Sequence, residues 1–137
     1  MIMKNLLRLE ELAQFLLCLG LLIASDVAWW VYLLLLLGPD IGMLGYLVGP
    51  RVGAISYNVL HHKAVAVLML VFAVPGMVEV LTLWRVEMGV LRATPPLLAG
   101  FILYGHASMD RIFGYGLKFG DNFHHTHLGW IGRRSGE

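Results

Sequence analysis

Apolar positions fall into four stretches, each near the length of about 20 residues that a helix needs to cross a bilayer. The first runs from Leu6 to Ala24. Lys4, Arg8, Glu10 and Glu11 mark its start, and Phe15 to Ile23 is wholly apolar. Ser25-Asp26 reads as a turn, with Asp26 placed to cap the next helix. The second stretch opens on Trp29-Trp30, aromatics suited to a membrane interface. It continues through a leucine run to Gly38-Pro39-Asp40 and on to Val48. Pro39 is expected to kink or break this helix and to free a carbonyl one turn earlier. An ionisable Asp40 at that break should not face lipid.

After Gly49-Pro50-Arg51 the third stretch spans Val52 to Val74 and carries Asn58, His61, His62 and Lys63. Asn58 and His61 share a helix face, and His62 points elsewhere. Pro75-Gly76 is expected to end this helix. From Met77 to Ala93, Glu79, Arg85, Glu87 and Arg92 are spread among apolar residues. That pattern predicts an amphipathic helix on the membrane or an extension of the third span. Thr94-Pro95-Pro96 opens the fourth stretch, with proline tolerated in a first turn. It covers Leu97 to Phe113. The tail from Gly114 is glycine-rich and polar and reads as a short solvated segment.

Composition agrees with this pattern. Of 137 residues, 58% are hydrophobic and 14% charged, against about a quarter charged in a soluble domain. The expectation is one all-α domain over residues 1–137: an integral membrane bundle of about four transmembrane helices, kinked at Pro39. The net charge of +1 comes with no basic run, so nothing favours nucleic acid. The lone Cys18 excludes an internal disulfide and reads as a small buried side chain. No removable signal peptide is expected. Lys4, Arg8, Arg51, Arg111, Lys118, Arg133 and Arg134 fall on one side of a four-span topology, which places both termini in the cytoplasm by the positive-inside rule. A homo-oligomer fits such a small bundle, but no stripe of small residues stands out to mark its interface.

That topology gathers the ionisable residues into one layer. Glu10, Asp40, Asn58, His61, His106, Asp110 and the tail histidines all fall in the same half of the bundle. Buried charges in a bilayer must converge on one another, on water or on a metal. His106 and Asp110 are one helical turn apart on one face. The candidate ligands for a divalent metal are Asp40, His61, His106, Asp110 and His127, for zinc first, with manganese or iron acceptable. Glu10 is a candidate further ligand or general base. Arg111 is a candidate for holding an anionic substrate, or it simply meets headgroups. Each residue also has a plainer reading: a surface pair for His106 and Asp110, a core histidine bonded to Asn58 or a carbonyl for His61, a helix cap for Asp40, a solvated loop for His124, His125 and His127, and an interfacial carboxylate for Glu10.

The expected chemistry is metal-dependent hydrolysis of a phosphoester or ester in a lipid-like substrate. Three alternatives stand beside it. A proton or metal transporter would use the Asp and His residues as a relay, although the one-sided placement argues against that. A b-type haem protein would use two of His61, His62 and His106. A membrane accessory protein would need no ligand.

Five blocks carry a family resemblance: Arg8-Leu-Glu10; Pro39 through Gly53; Tyr57-Asn58-Val-Leu-His61; His106 through Lys118; and Phe123 with Thr126-His127-Leu-Gly129. Together they resemble a bacterial family of small integral membrane proteins designated domain of unknown function 4260. The chain departs from that pattern at Glu11, where the family has glycine, and between Pro75 and Pro96, which is expanded. His62, His124 and His125 lie outside it. The resemblance implies a compact membrane helical domain and brings no activity. A more distant likeness to membrane-bound metal-dependent hydrolases rests on the His106-to-Asp110 spacing alone and is an analogy.

Overall fold

The structure, a computed structural model, describes residues 2–83 and 94–132, with the backbone alone for 76–83. Its helices are α1 (Ile2–Ala24), α2 (Trp29–Leu37), a 3-10 helix (Gly38–Leu47), α3 (Pro50–His61), α4 (Lys63–Leu83) and α5 (Pro95–Phe113). A small hairpin of β1 (His125–Thr126) and β2 (Gly129–Trp130) follows. Helix α5 lies at the centre, packed against α1, α2, α3 and α4, while α3 packs against the 3-10 helix.

The second apolar stretch is helical throughout, and the expected kink or break at Pro39 takes the form of a change in winding: α2 ends at Leu37 and the 3-10 helix follows. Lacking an N–H, Pro39 cannot donate to Leu35, and the chain tightens into the 3-10 helix from Gly38. Glycines let this helix lie close on α3. A Cβ on Gly42 would sit 2.8 Å from the Ser56 carbonyl oxygen, and one on Gly45 would sit 3.0 Å from the Val52 oxygen. Ser56 Oγ donates to the Gly42 carbonyl at 2.6 Å. This is the close approach that small residues allow between helices; here it serves a contact within the chain.

Three expectations are corrected. Asp26 does not cap α2: the residue before that helix is Ala28, no side chain caps it, and Asp26 takes a left-handed turn with φ 46°. The third stretch breaks at His62, and α4 then runs through Pro75 to Leu83. His62 turns extended, its Nδ1 accepts the Ala64 N–H at 3.2 Å, and α3 and α4 meet at a bend of 42°. Residues 84–93, with Arg85, Glu87 and Arg92, lie outside the described residues, as do Arg133 and Arg134. Finally, the tail is folded. Lys118 bridges to Thr126, His125 pairs with Trp130, and Lys118 and Thr126 are buried.

Burial is inverted relative to a soluble bundle. A small apolar core of Cys18, Leu22, Val31, Leu35, Ala73, Leu97 and Phe101 lies beside fully buried His106 and Ser108, while leucines, valines and isoleucines of α1, α2, α3 and α4 face outward. Among the described residues, Trp29–Leu47 is long and apolar enough to cross a membrane, and the bent pair Pro50–His61 with Lys63–Pro75 makes a second if taken as one span.

Candidate metal centre

The Leu35 carbonyl, which Pro39 leaves without its usual donor, lies next to α5. His106 Nδ1 bonds to it at 2.9 Å. His61, the last residue of α3, bonds through Nδ1 to the Tyr57 carbonyl at 2.9 Å. A carbonyl only accepts, so both rings are assigned as donating through Nδ1, which turns each Nε2 toward the other. These two Nε2 atoms face each other at 3.1 Å. Two lone pairs at that distance repel unless a proton or a cation lies between them.

Two carboxylates converge on the same point. Asp40 Oδ1 is 3.5 Å from His61 Nε2 and 3.4 Å from His106 Nε2. Asp110 Oδ2 is 3.3 Å from His61 Nε2, and its Oδ1 is 3.8 Å from His106 Nε2. One ligand atom from each of Asp40, His61, His106 and Asp110 lies within 4.8 Å of all the others. Four ligands held tetrahedrally at about 2.0–2.1 Å from a zinc ion would be about 3.4 Å apart, close to the 3.1, 3.3, 3.4 and 3.5 Å of four of these separations. Asp40 Oδ1 is buried and has no hydrogen-bond partner, which leaves it an open donor into the centre. Each histidine is steered through its other nitrogen by a backbone carbonyl, a usual supporting contact for metal-binding histidines.

Neighbouring residues hold this arrangement. Tyr57 stacks on His61 with centroids 3.6 Å apart, and its hydroxyl donates to Asp110 Oδ2 at 2.5 Å. Helix α5 ends directly after the site. Gly114 takes φ 90°, its N–H reaches the Arg111 carbonyl at 3.1 Å, and the Tyr115 N–H reaches the Asp110 carbonyl at 2.9 Å. That paired pattern is a Schellman stop, and it fixes the turn that carries Asp110. Asn58, on the face of α3 that bears His61, clasps the Lys118 backbone: Nδ2 donates to its carbonyl at 2.8 Å and Oδ1 accepts its N–H at 2.7 Å.

Four of the seven sequence candidates are thus brought together. His127 is not among them: its Nδ1 accepts the Leu117 N–H at 2.8 Å, which occupies the lone pair. Burial holds this ring below the usual imidazole range. Glu10 is exposed and accepts from Gln14 at 3.2 Å. Its neighbour Glu11 turns inward to pair with Lys63 and with Arg111 Nη1, the latter at 3.4 Å. Arg111 is therefore engaged with Glu11. His125 bonds to Asp121 Oδ2 at 2.7 Å, which holds that carboxyl below its usual range.

The family profile described as domain of unknown function (DUF4260) matches residues 4–131. The chain belongs to this family. All four converging residues lie inside the DUF4260 match. No curated protein and no solved structure matches the chain.

Lys118 escaped the sequence reading. It is buried, with Nζ 3.8 Å from the Phe123 ring centroid and 4.9 Å from that of Tyr57. Burial pulls its ammonium below the usual lysine range, while the charges of Asp110 and Asp40 oppose that shift. The signal was Tyr115, Phe119 and Phe123 at four-residue spacing around it, too apolar for a solvated tail.

Proposed function

We propose that this chain is a four-span membrane protein holding one divalent cation, zinc first and manganese or iron next, on Asp40, His61, His106 and Asp110. The observation that carries this reading is the convergence of two Nε2 atoms 3.1 Å apart with two carboxylates, one ligand atom of each of the four lying within 4.8 Å of the others. The four spans are α1, α2 with the 3-10 helix, α3 with α4, and α5. Their outward apolar faces support a bilayer as surroundings, since exposed patches of that extent are uncommon on soluble monomers. Arg8 Nη2 lies 3.9 Å from the Cβ position of Gly114, and Arg51 Cγ lies 3.4 Å from that of Gly120. Both basic residues thus accompany the end of α5 and the folded tail, which supports a cytoplasmic placement of that end and of both termini.

The chemistry we assign is hydrolysis of a phosphoester or ester in a lipid-like substrate. A bound divalent ion would supply activated water and polarise the ester oxygen. Asp40, the more exposed of the two carboxylates, is where substrate enters and is the proton acceptor. Glu10 has no part in this scheme, because it faces outward.

Elemental analysis of protein purified in detergent should find about one metal ion per chain, and His106→Ala should lose it. No metal in the parent would refute the centre. If metal is present, a chromogenic phosphodiester in micelles tests the hydrolytic reading: turnover should stop with chelator and with Asp40→Asn. Absence of turnover on phosphodiester and carboxylic ester probes alike would leave the centre standing and remove the hydrolase.

A further inference from the structure

Lys118 stands out as a lysine buried in the folded tail. A buried ammonium needs acceptors. This one has a hydrogen bond to the Phe123 carbonyl at 3.0 Å, and aromatic rings of Phe123, Tyr57 and Tyr115 line its surroundings. Its backbone is clamped at both polar atoms by Asn58, so the charge is held in a fixed place. Tyr57 links that place to the centre: its ring lies 4.9 Å from Lys118 Nζ and its hydroxyl is on Asp110.

Charge then decides what the site lacks. Two aspartates balance one divalent ion, and the two histidines are neutral donors. The loaded centre is therefore neutral, and the Asp110 and Asp40 charges that face Lys118 are already taken. Lys118 would then remain a cation without a carboxylate of its own, held by one carbonyl and by ring faces that carry no net charge. Arg111 Nη1 is turned to Glu11 instead.

We infer that Lys118 and the metal centre together form the seat of a phosphate group, with Lys118 as the anion-holding residue. This rests on the metal reading above. A phosphate oxygen answers an ammonium and a divalent ion at once, and a phosphomonoester provides it either as free phosphate or as a lipid headgroup. The fixed ammonium sets the approach of the phosphate from the folded tail.

The test uses full-length protein in detergent, loaded stoichiometrically with zinc and titrated by calorimetry. One arm uses inorganic phosphate; the other uses short-chain phosphatidic acid below its micelle concentration. Lys118→Met should keep the zinc and lower phosphate affinity at least about tenfold, as expected for loss of a charge-assisted contact. Lys118→Arg should retain more of it than the methionine variant. Lys118-dependent binding in the lipid arm alone assigns the phosphate to a headgroup; in both arms, a free phosphate suffices. Binding in neither arm, or equal affinity in Lys118→Met, overturns the inference while leaving the metal centre intact. Should Lys118→Met fail to fold, Asn58→Ala decides: it releases the clamp and keeps the charge, and unchanged phosphate affinity there overturns the inference. A parent without zinc affinity sinks the metal reading itself and this inference with it.

Discussion

Pro39→Ala separates metal affinity from helix stability and tests why the 3-10 helix exists. A 3-10 residue rises about 2.0 Å and turns about 120°, against about 1.5 Å and 100° in an α-helix. Over the three residues from Gly38 to Asp40, rewinding to α displaces Asp40 by about 1.5 Å along the axis and about 60° around it. Alanine favours that rewinding by up to about 3 kcal/mol over proline in a helix interior. It also provides an N–H for the Leu35 carbonyl, the acceptor on which His106 Nδ1 depends. Loss of a supporting contact of that kind costs about 10–100-fold in metal affinity, and Asp40 Oδ1, now 3.4 Å from His106 Nε2, would leave the ligand set as well. The expected outcome is a rise in zinc Kd of at least about 100-fold, or about 2.8 kcal/mol. The midpoint of thermal unfolding in excess chelator should not fall. Competition with a chromophoric chelator gives the first quantity and circular dichroism in detergent the second. A Kd within threefold of the parent would refute the link between the proline, the free carbonyl and the aim of Asp40.

Two further outcomes follow from the same geometry. Glu11→Gln should destabilise the bundle by about 2 kcal/mol, because Lys63 and Arg111 both lose a partly buried partner, whereas Glu10→Gln should leave unfolding unchanged; equal effects would contradict the inward turn of Glu11. His127 should make the folded tail pH-sensitive. Burial lowers its folded-state value, so its neutral form stabilises the fold fully above the unfolded value of about 6.5. That stabilisation is lost as pH falls from there through the folded value. Protonation also removes the acceptor of the Leu117 N–H, so exchange protection of that amide should fall on acidification and hold in alkali. Protection that rises on acidification would reverse the assignment.

Much of the centre could be read from local chemistry. The freed carbonyl followed from Pro39, the shared face of His106 and Asp110 from helical spacing, and the separation of His61 from His62 from the same rule. Azimuth was not readable. Glu10 and Glu11 differ by about 100° around α1, and a layer argument treats them alike; packing against Lys63 and Arg111 chose Glu11. His127 follows α5, where the expected topology put it near the other candidates, but the Leu117 N–H consumed its lone pair. The expected stop at Pro75 failed because α4 carries that proline within it, whereas the true break at His62 has no glycine or proline to announce it. The small-residue contact of Gly42 and Gly45 was hidden because its partner, Ser56 on the next helix, joins it only after the chain turns back.

The Leu35 carbonyl, Asp40 and His61 are synthesised well before His106 and Asp110. On the membrane reading proposed above, until α5 inserts the earlier helices would hold a carbonyl without its donor and an aspartate with an open oxygen, both costly in hydrocarbon. The last helix relieves them together, donating from His106 and closing the ligand set. If the proposed centre binds metal, its capture would be a late event in biogenesis and would report that the final helix has docked. A chain truncated before α5 would keep its apolar spans yet have no centre to load, and cellular quality control would see its unsatisfied polar groups.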